Sequence, residues 1–147
     1  MGCAKPVRQR TSVSRMLPVR QHLSQTGKTI LLVEDEDFVR KVTSQVLRAW
    51  GFRVIAVANA REAMEAFHEH RKQVQLVLTD LVMPGSNGRR LAHDLRDLAP
   101  GVCIILTSGY PESETADISF SKALHYLPKP YSAESLITKV RQVMAEK

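Results

Sequence analysis

No apolar run in the 147 residues approaches the ~20 that a membrane-spanning helix needs, so no membrane span is expected. Cysteine is nearly missing. Cys3 and Cys103 cannot make a disulfide framework or a zinc spacing, and a reducing, cytoplasmic setting is expected. Cys103 sits inside Val102-Cys103-Ile104-Ile105-Leu106 and reads as a small buried hydrophobe. The basic N-terminus has no apolar centre, which excludes a secretory signal. Pro6 stands where a myristoylation motif starting at Gly2 needs Ser or Thr. No glycine-rich phosphate loop follows a strand, which argues against a nucleotide-binding enzyme.

Acidic residues are absent from residues 1–28, which hold six of the 21 basic residues. The remaining 15 basic residues balance the 15 acidic ones, so the net charge of +6 belongs to that segment. Residues 1–27 mix Arg, Gln, Ser, Thr and two prolines without an apolar period and read as a basic disordered tail or linker. The tail lacks interleaved aromatics, so a nucleic-acid partner is not expected.

From Lys28 the pattern changes to short apolar runs alternating with helical periodicity. Residues 30–33, 54–57, 76–78, 102–106 and 124–127 read as five strands buried on both faces. Between the first two, Phe38, Val39, Val42, Val46, Leu47 and Trp50 recur at helical spacing, with Gly51 as terminator. Asn59 caps a second helix bearing Ala63, Met64 and Phe67. A third carries Leu91, Ala92, Leu95, Leu98 and Ala99. Residues 112–122 form a weakly amphipathic fourth helix, and Ser132 caps a fifth with Leu136, Ile137, Val140, Val143 and Met144. Five strand–helix repeats predict an α/β fold, a doubly wound parallel sheet with helices on both faces, over residues 28–147. The chain closes with the fifth helix, so no attached output domain is expected.

Ligands of such sheets bind beyond the carboxyl ends of the strands. Glu34-Asp35-Glu36-Asp37 follows the first strand, Asp80 the third, Thr107-Ser108-Gly109 the fourth and Lys129-Pro130 the fifth. Clustered carboxylates repel, and a hard divalent cation such as magnesium relieves that repulsion. A carboxylate beside it can attack phosphorus, with a lysine and a hydroxyl available to the phosphoryl oxygens. Each feature alone is weak: an acidic run often starts a solvated helix, and a lone Asp often caps a turn. The ordered set on successive strand ends is far more specific. His68, His70, His93 and His125 show no ligand spacing with a cysteine and read as surface or edge residues.

Ile30-Leu31-Leu32-Val33-Glu34-Asp35, Leu78-Thr79-Asp80-Leu81-Val82-Met83-Pro84-Gly85, Leu106-Thr107-Ser108-Gly109 and Tyr126-Leu127-Pro128-Lys129-Pro130-Tyr131 together resemble the receiver domains of bacterial two-component systems. The resemblance implies a five-stranded sheet in the order 2-1-3-4-5, of the flavodoxin-like (CheY-like) kind. It implies that Asp80 is the phosphoacceptor and that Mg2+ is held by Glu34, Asp35, Asp80 and the backbone carbonyl of Val82. Lys129 would pair with Asp80 or its phosphoryl group, Thr107 and Tyr126 would form the switch, and Pro130 would follow a cis peptide bond. A histidine kinase or histidine phosphotransfer protein would be the donor, the downstream effector staying unidentified. The Ser108-Gly109-Tyr110-Pro111 and Leu127-Pro128-Lys129-Pro130 stretches look most like receivers of hybrid sensor kinases, so a stand-alone regulator or a piece of such a kinase both fit. A magnesium-dependent phosphatase is the competing reading. Such enzymes place a second Asp two residues after the nucleophile, and Val82 stands there instead.

Overall fold

The computed structural model describes residues 27–83, 86–109 and 124–145, with the backbone alone at 86 and 87. The basic tail through residue 26, Cys3, Tyr110 and the helix expected at 112–122 lie outside these residues. The elements run β1 (Thr29–Val33), α1 (Asp37–Ala49), β2 (Arg53–Val57), α2 (Ala60–His70), β3 (Val74–Asp80), β4 (Val82–Met83), β5 (Ser86–Asn87), α3 (Gly88–Leu98), β6 (Cys103–Ser108), β7 (Leu124–Pro128) and α4 (Ala133–Ala145).

Five strands pair in parallel in the order β2-β1-β3-β6-β7. With the short β4–β5 pair set aside, this is the expected 2-1-3-4-5. Alternate residues of each strand serve opposite faces, as the pleat requires. Leu31, Val33, Val77, Ile104, Leu106 and Tyr126 share one core with Phe67 of α2 and Leu91 and Leu95 of α3. Ile30, Leu32, Leu76, Leu78, Ile105 and Leu127 share the other with Leu47 of α1 and Ile137, Val140 and Val143 of α4. Both faces of the central strands are therefore dry, and ligand chemistry is confined to the strand ends.

The helix boundaries follow their local signals. Gly51 takes a positive φ of 93° and closes α1, its amide donating to the Arg48 carbonyl at 3.0 Å. Asn59 Oδ1 accepts the Glu62 amide at 2.8 Å, and Ser132 Oγ accepts the Ser135 amide at 3.0 Å.

Two features depart from the sequence reading. In α1 the buried residues are Thr43, Ser44 and Leu47, whereas Phe38 is 77% and Val42 40% exposed. The apolar stripe thus points partly to solvent. The second departure is β4–β5, where Val82 and Met83 pair antiparallel with Asn87 and Ser86. A two-residue ladder is too short to leave a period in the sequence.

Candidate functional site

The parallel ladder brings the polar residues into register. β1 ends at Val33, beside Thr79 in β3, and Asp80 lies opposite Thr107 in β6. Glu34, Asp35, Asp80, Thr107 and Lys129 therefore converge on one rim although 95 residues of chain separate the outermost two. One carboxylate oxygen from each of Glu34, Asp35 and Asp80 lies within 4.8 Å of the others. Glu34 and Asp80 are buried, and Asp35 is half-buried.

Lys129 ties this cluster together. Its Nζ donates to Asp80 Oδ2 at 2.8 Å and to Glu34 Oε1 at 2.9 Å. The other oxygens have partners too: Glu34 Oε2 accepts the Glu36 amide and Asp80 Oδ1 accepts the Val82 amide, both at 3.2 Å. Burial holds the Glu34 carboxyl above its ordinary pKa, reinforced by the Asp80 charge and opposed by Lys129 and the Glu36 amide. For Lys129, burial favours loss of the proton. The bonds to Asp80 and Glu34 outweigh burial and hold the ammonium well above its ordinary range. Lys129 is thus a permanent cation set between two buried carboxylates.

Two hydroxyls of the neighbouring strands bond to backbone carbonyls. Thr107 Oγ1 lies 3.5 Å from the Thr79 carbonyl, and Tyr126 is buried with its hydroxyl donating to the Ser108 carbonyl at 3.3 Å. The Lys129–Pro130 bond is cis. Val82 is 54% exposed, and a Cβ placed on Gly109 would meet nothing within 4 Å. Gly88 is tightly constrained: a Cβ there would lie 2.3 Å from the Asp80 carbonyl oxygen and 2.7 Å from Leu81 Cα. It lets α3 start directly against the Asp80 turn, a close approach that no local sequence signal announces. His68 and His93 are exposed and His70 and His125 half-buried, in line with surface or edge positions.

The donor set suits a hard divalent cation, since three carboxylates within reach of one point leave further positions for water or phosphate oxygens. Acids, a hydroxyl and an ammonium collected on one rim of an open parallel sheet are the side chains a phosphoacceptor signalling module needs. Residues 30–141 match the family model "Response regulator receiver domain", and the chain belongs to that family.

Among its relatives, sensor kinase CckA of Brucella abortus is 37% identical over 117 residues, 79% of this chain and 12% of the kinase. Transcriptional regulatory protein CseB of Streptomyces avermitilis is 30% identical over 116 residues, 78% of this chain and 48% of the regulator. The chain thus spans half or less of either relative. Among solved structures, the receiver domain of the hybrid histidine kinase CckA superposes with a TM-score of 0.69 at 32% identity, covering 79% of this chain and 98% of that one. The response regulator TrrA of Thermotoga maritima, in complex with Mg2+-BeF, gives 0.70 at 30% identity over 79% of this chain and 98% of its own. Receiver domains accept phosphoryl groups from histidine kinases, and the likeness to a hybrid-kinase receiver agrees with the motif resemblance. Among the described residues no helix is long and apolar enough to cross a membrane.

Proposed function

We propose that residues 28–147 form a receiver domain whose Asp80 takes a phosphoryl group from a phosphohistidine of a histidine kinase or histidine phosphotransfer protein, in the cytoplasm, with residues 1–27 as a tail or linker. The observation that carries the reading is the Lys129 ammonium bonded to both Asp80 and Glu34 on the rim where three carboxylates meet.

In the transfer, an Asp80 carboxylate oxygen attacks phosphorus and the phosphorus–nitrogen bond breaks. The electron pair returns to the imidazole nitrogen, which takes a proton. The product is an acyl phosphate whose negative charge lies on the phosphoryl oxygens, and Lys129 pairs with one of them. Thr107, opposite Asp80 in the ladder, offers its hydroxyl to the same group. Glu34, Asp35, Asp80 and the Val82 carbonyl would hold Mg2+, which when bound supplies charge neutralisation for the phosphoryl oxygens. Displacement of Thr107 would open space for Tyr126 and alter the surface of β7 and α4; the family resemblance adds the 112–122 stretch, which lies outside the described residues.

The donor must bring phosphorus to Asp80. A shallow groove of about 480 Å³ beside Lys129, lined by Phe38, Val39, Val42, Pro130 and Tyr131, suits an apolar contact on that approach. The domain is a phosphoacceptor rather than a turnover enzyme. Neither Val82 nor Gly109 can orient a water on the far side of the phosphoryl group, so only slow self-dephosphorylation follows.

The test is incubation with acetyl phosphate and Mg2+, followed by intact mass. One added phosphoryl mass is expected, dependent on the divalent ion and abolished in Asp80→Asn. Labelling of Asp80→Asn at the normal rate would overturn the assignment.

A further inference from the structure

β7 delivers Lys129 to the rim, where its amide donates to the Ser108 carbonyl at 2.7 Å. Two residues on, the Tyr131 hydroxyl meets Thr43 Oγ1 of α1 at 3.2 Å, a link between positions 88 residues apart. Thr43 is buried, and Tyr131 packs at the edge of the core formed with α1 and α4. One helical turn before Thr43, on the same side of α1, Arg40 Nη1 donates to the Glu34 carbonyl at 2.9 Å. Helix α1 thus holds the acidic loop through Arg40 and the lysine loop through Thr43. These loops supply two of the three members of the Glu34–Lys129–Asp80 bridge.

We propose that the Thr43–Tyr131 hydroxyl pair positions Lys129 for phosphoryl transfer, Tyr131 acting through Lys129 without touching the phosphoryl group. The inference rests on the roles given above to Asp80 and Lys129. A lysine stem is long and flexible, so its ammonium is placed by its partners and by its backbone. Before transfer, two carboxylates hold it. During transfer the ammonium must pass from an Asp80 oxygen to a phosphoryl oxygen, and the backbone anchors set where it can reach. A phenyl ring would fill the same apolar space, so what tyrosine adds is a directional bond to a hydroxyl that is itself buried.

The rate of labelling by acetyl phosphate with Mg2+, followed by intact mass, should fall about fivefold in Tyr131→Phe and in Thr43→Val, the worth of one ordinary hydrogen bond. The double variant should be no slower than either, and Thr43→Ser, which keeps the hydroxyl, should retain the rate. In a Lys129→Ala background, followed over longer incubation, Tyr131→Phe should have no further effect. A second readout needs neither metal nor phosphoryl donor. Deuterium exchange of the Lys129 amide, which is bonded to the Ser108 carbonyl, should rise about threefold in Tyr131→Phe as one hydrogen-bonded anchor is lost, with exchange in α3 unchanged. Wild-type rate and wild-type Lys129 exchange in Tyr131→Phe overturn the proposal. So does an equal slowing in the Lys129→Ala background, which would assign the loss to packing. Should Tyr131→Phe fail to fold, Thr43→Val against Thr43→Ser reads the same bond from its other end. Normal labelling of Asp80→Asn would defeat the site assignment itself. An inert Asp80→Asn beside an unimpaired Tyr131→Phe would defeat this inference alone.

Discussion

The two ends of the same strands bury different chemistry. Toward their amino ends β1, β3, β6 and β7 sequester Ile30, Leu76, Ile104 and Leu124. At the carboxyl ends Glu34, Thr79, Asp80, Thr107 and Ser108 are withdrawn from solvent to the same degree. Apolar burial stabilises the fold, whereas polar burial costs free energy unless every group is paired. The rim meets that condition through Lys129 and the amides of Glu36 and Val82. One end of the sheet therefore supplies stability, and the other spends part of it to hold charge where a phosphoryl group can be received.

The sharpest way to separate the two ends is a cavity in the first. Ile104→Ala should lower unfolding stability by about 3 kcal/mol, read from urea denaturation. The acetyl phosphate labelling rate of the folded protein should stay normal. A parallel loss of labelling would show that the ends are not independent. The converse variant strikes the rim. Lys129→Met leaves two buried carboxylates without their shared cation and should cost about 2 kcal/mol in metal-free buffer. Added Mg2+ should then raise its urea midpoint more than it raises that of the unaltered protein, since a divalent ion can replace the lost charge.

A smaller effect should come from the rim's outer edge. Val82→Asn with Gly109→Glu places polar groups on both sides of the path of an attacking water, at positions exposed enough to accept them without repacking. Loss of the phosphoryl mass after donor removal should accelerate about tenfold, roughly 1.4 kcal/mol of barrier. Unchanged or slower decay would show that these positions do not control the water.

The smallest expected effect is a pH slope. Because Glu34 is held above its ordinary 4.5, the folded state binds that proton more readily than the unfolded chain does. Its contribution to stability is complete below 4.5 and declines as pH rises through the folded value. Lys129 stays protonated in both states below its ordinary 10.5 and does not blur this window. In metal-free buffer, Glu34→Gln should flatten the dependence of the urea midpoint on weakly acid pH. An identical slope in the variant would place the titration elsewhere.

Much of the rim was legible because its residues fall within two positions of the end of an apolar run. Asp80, Thr107 and Lys129 could be placed at strand ends with no coordinates, since parallel strands of similar length bring such positions to one edge. Trp50 was less tractable. It lies at the far end of α1, under Arg141 of α4 at 5.7 Å, about a helix length of ~20 Å from the acidic loop. Its place in the helical period gave no sign of the Arg141 guanidinium over its ring.

The sequence by itself determined the strand–helix alternation, the caps at Asn59 and Ser132, the turn at Gly51 and the residues delivered to the rim. All of these are set by neighbours within a few positions, through pleat, helical period and turn chemistry. Tertiary structure decided which side of α1 is buried. Thr43, Ser44 and Leu47 face inward while Phe38 and Val42 face out, because inward direction is fixed by the sheet and α4 and not by the helix's own apolar stripe. It also decided that Lys129 bridges Glu34 as well as Asp80, and that Tyr131 is bonded to Thr43. Contacts across 49 to 95 residues depend on where whole elements come to rest, and no local period records that.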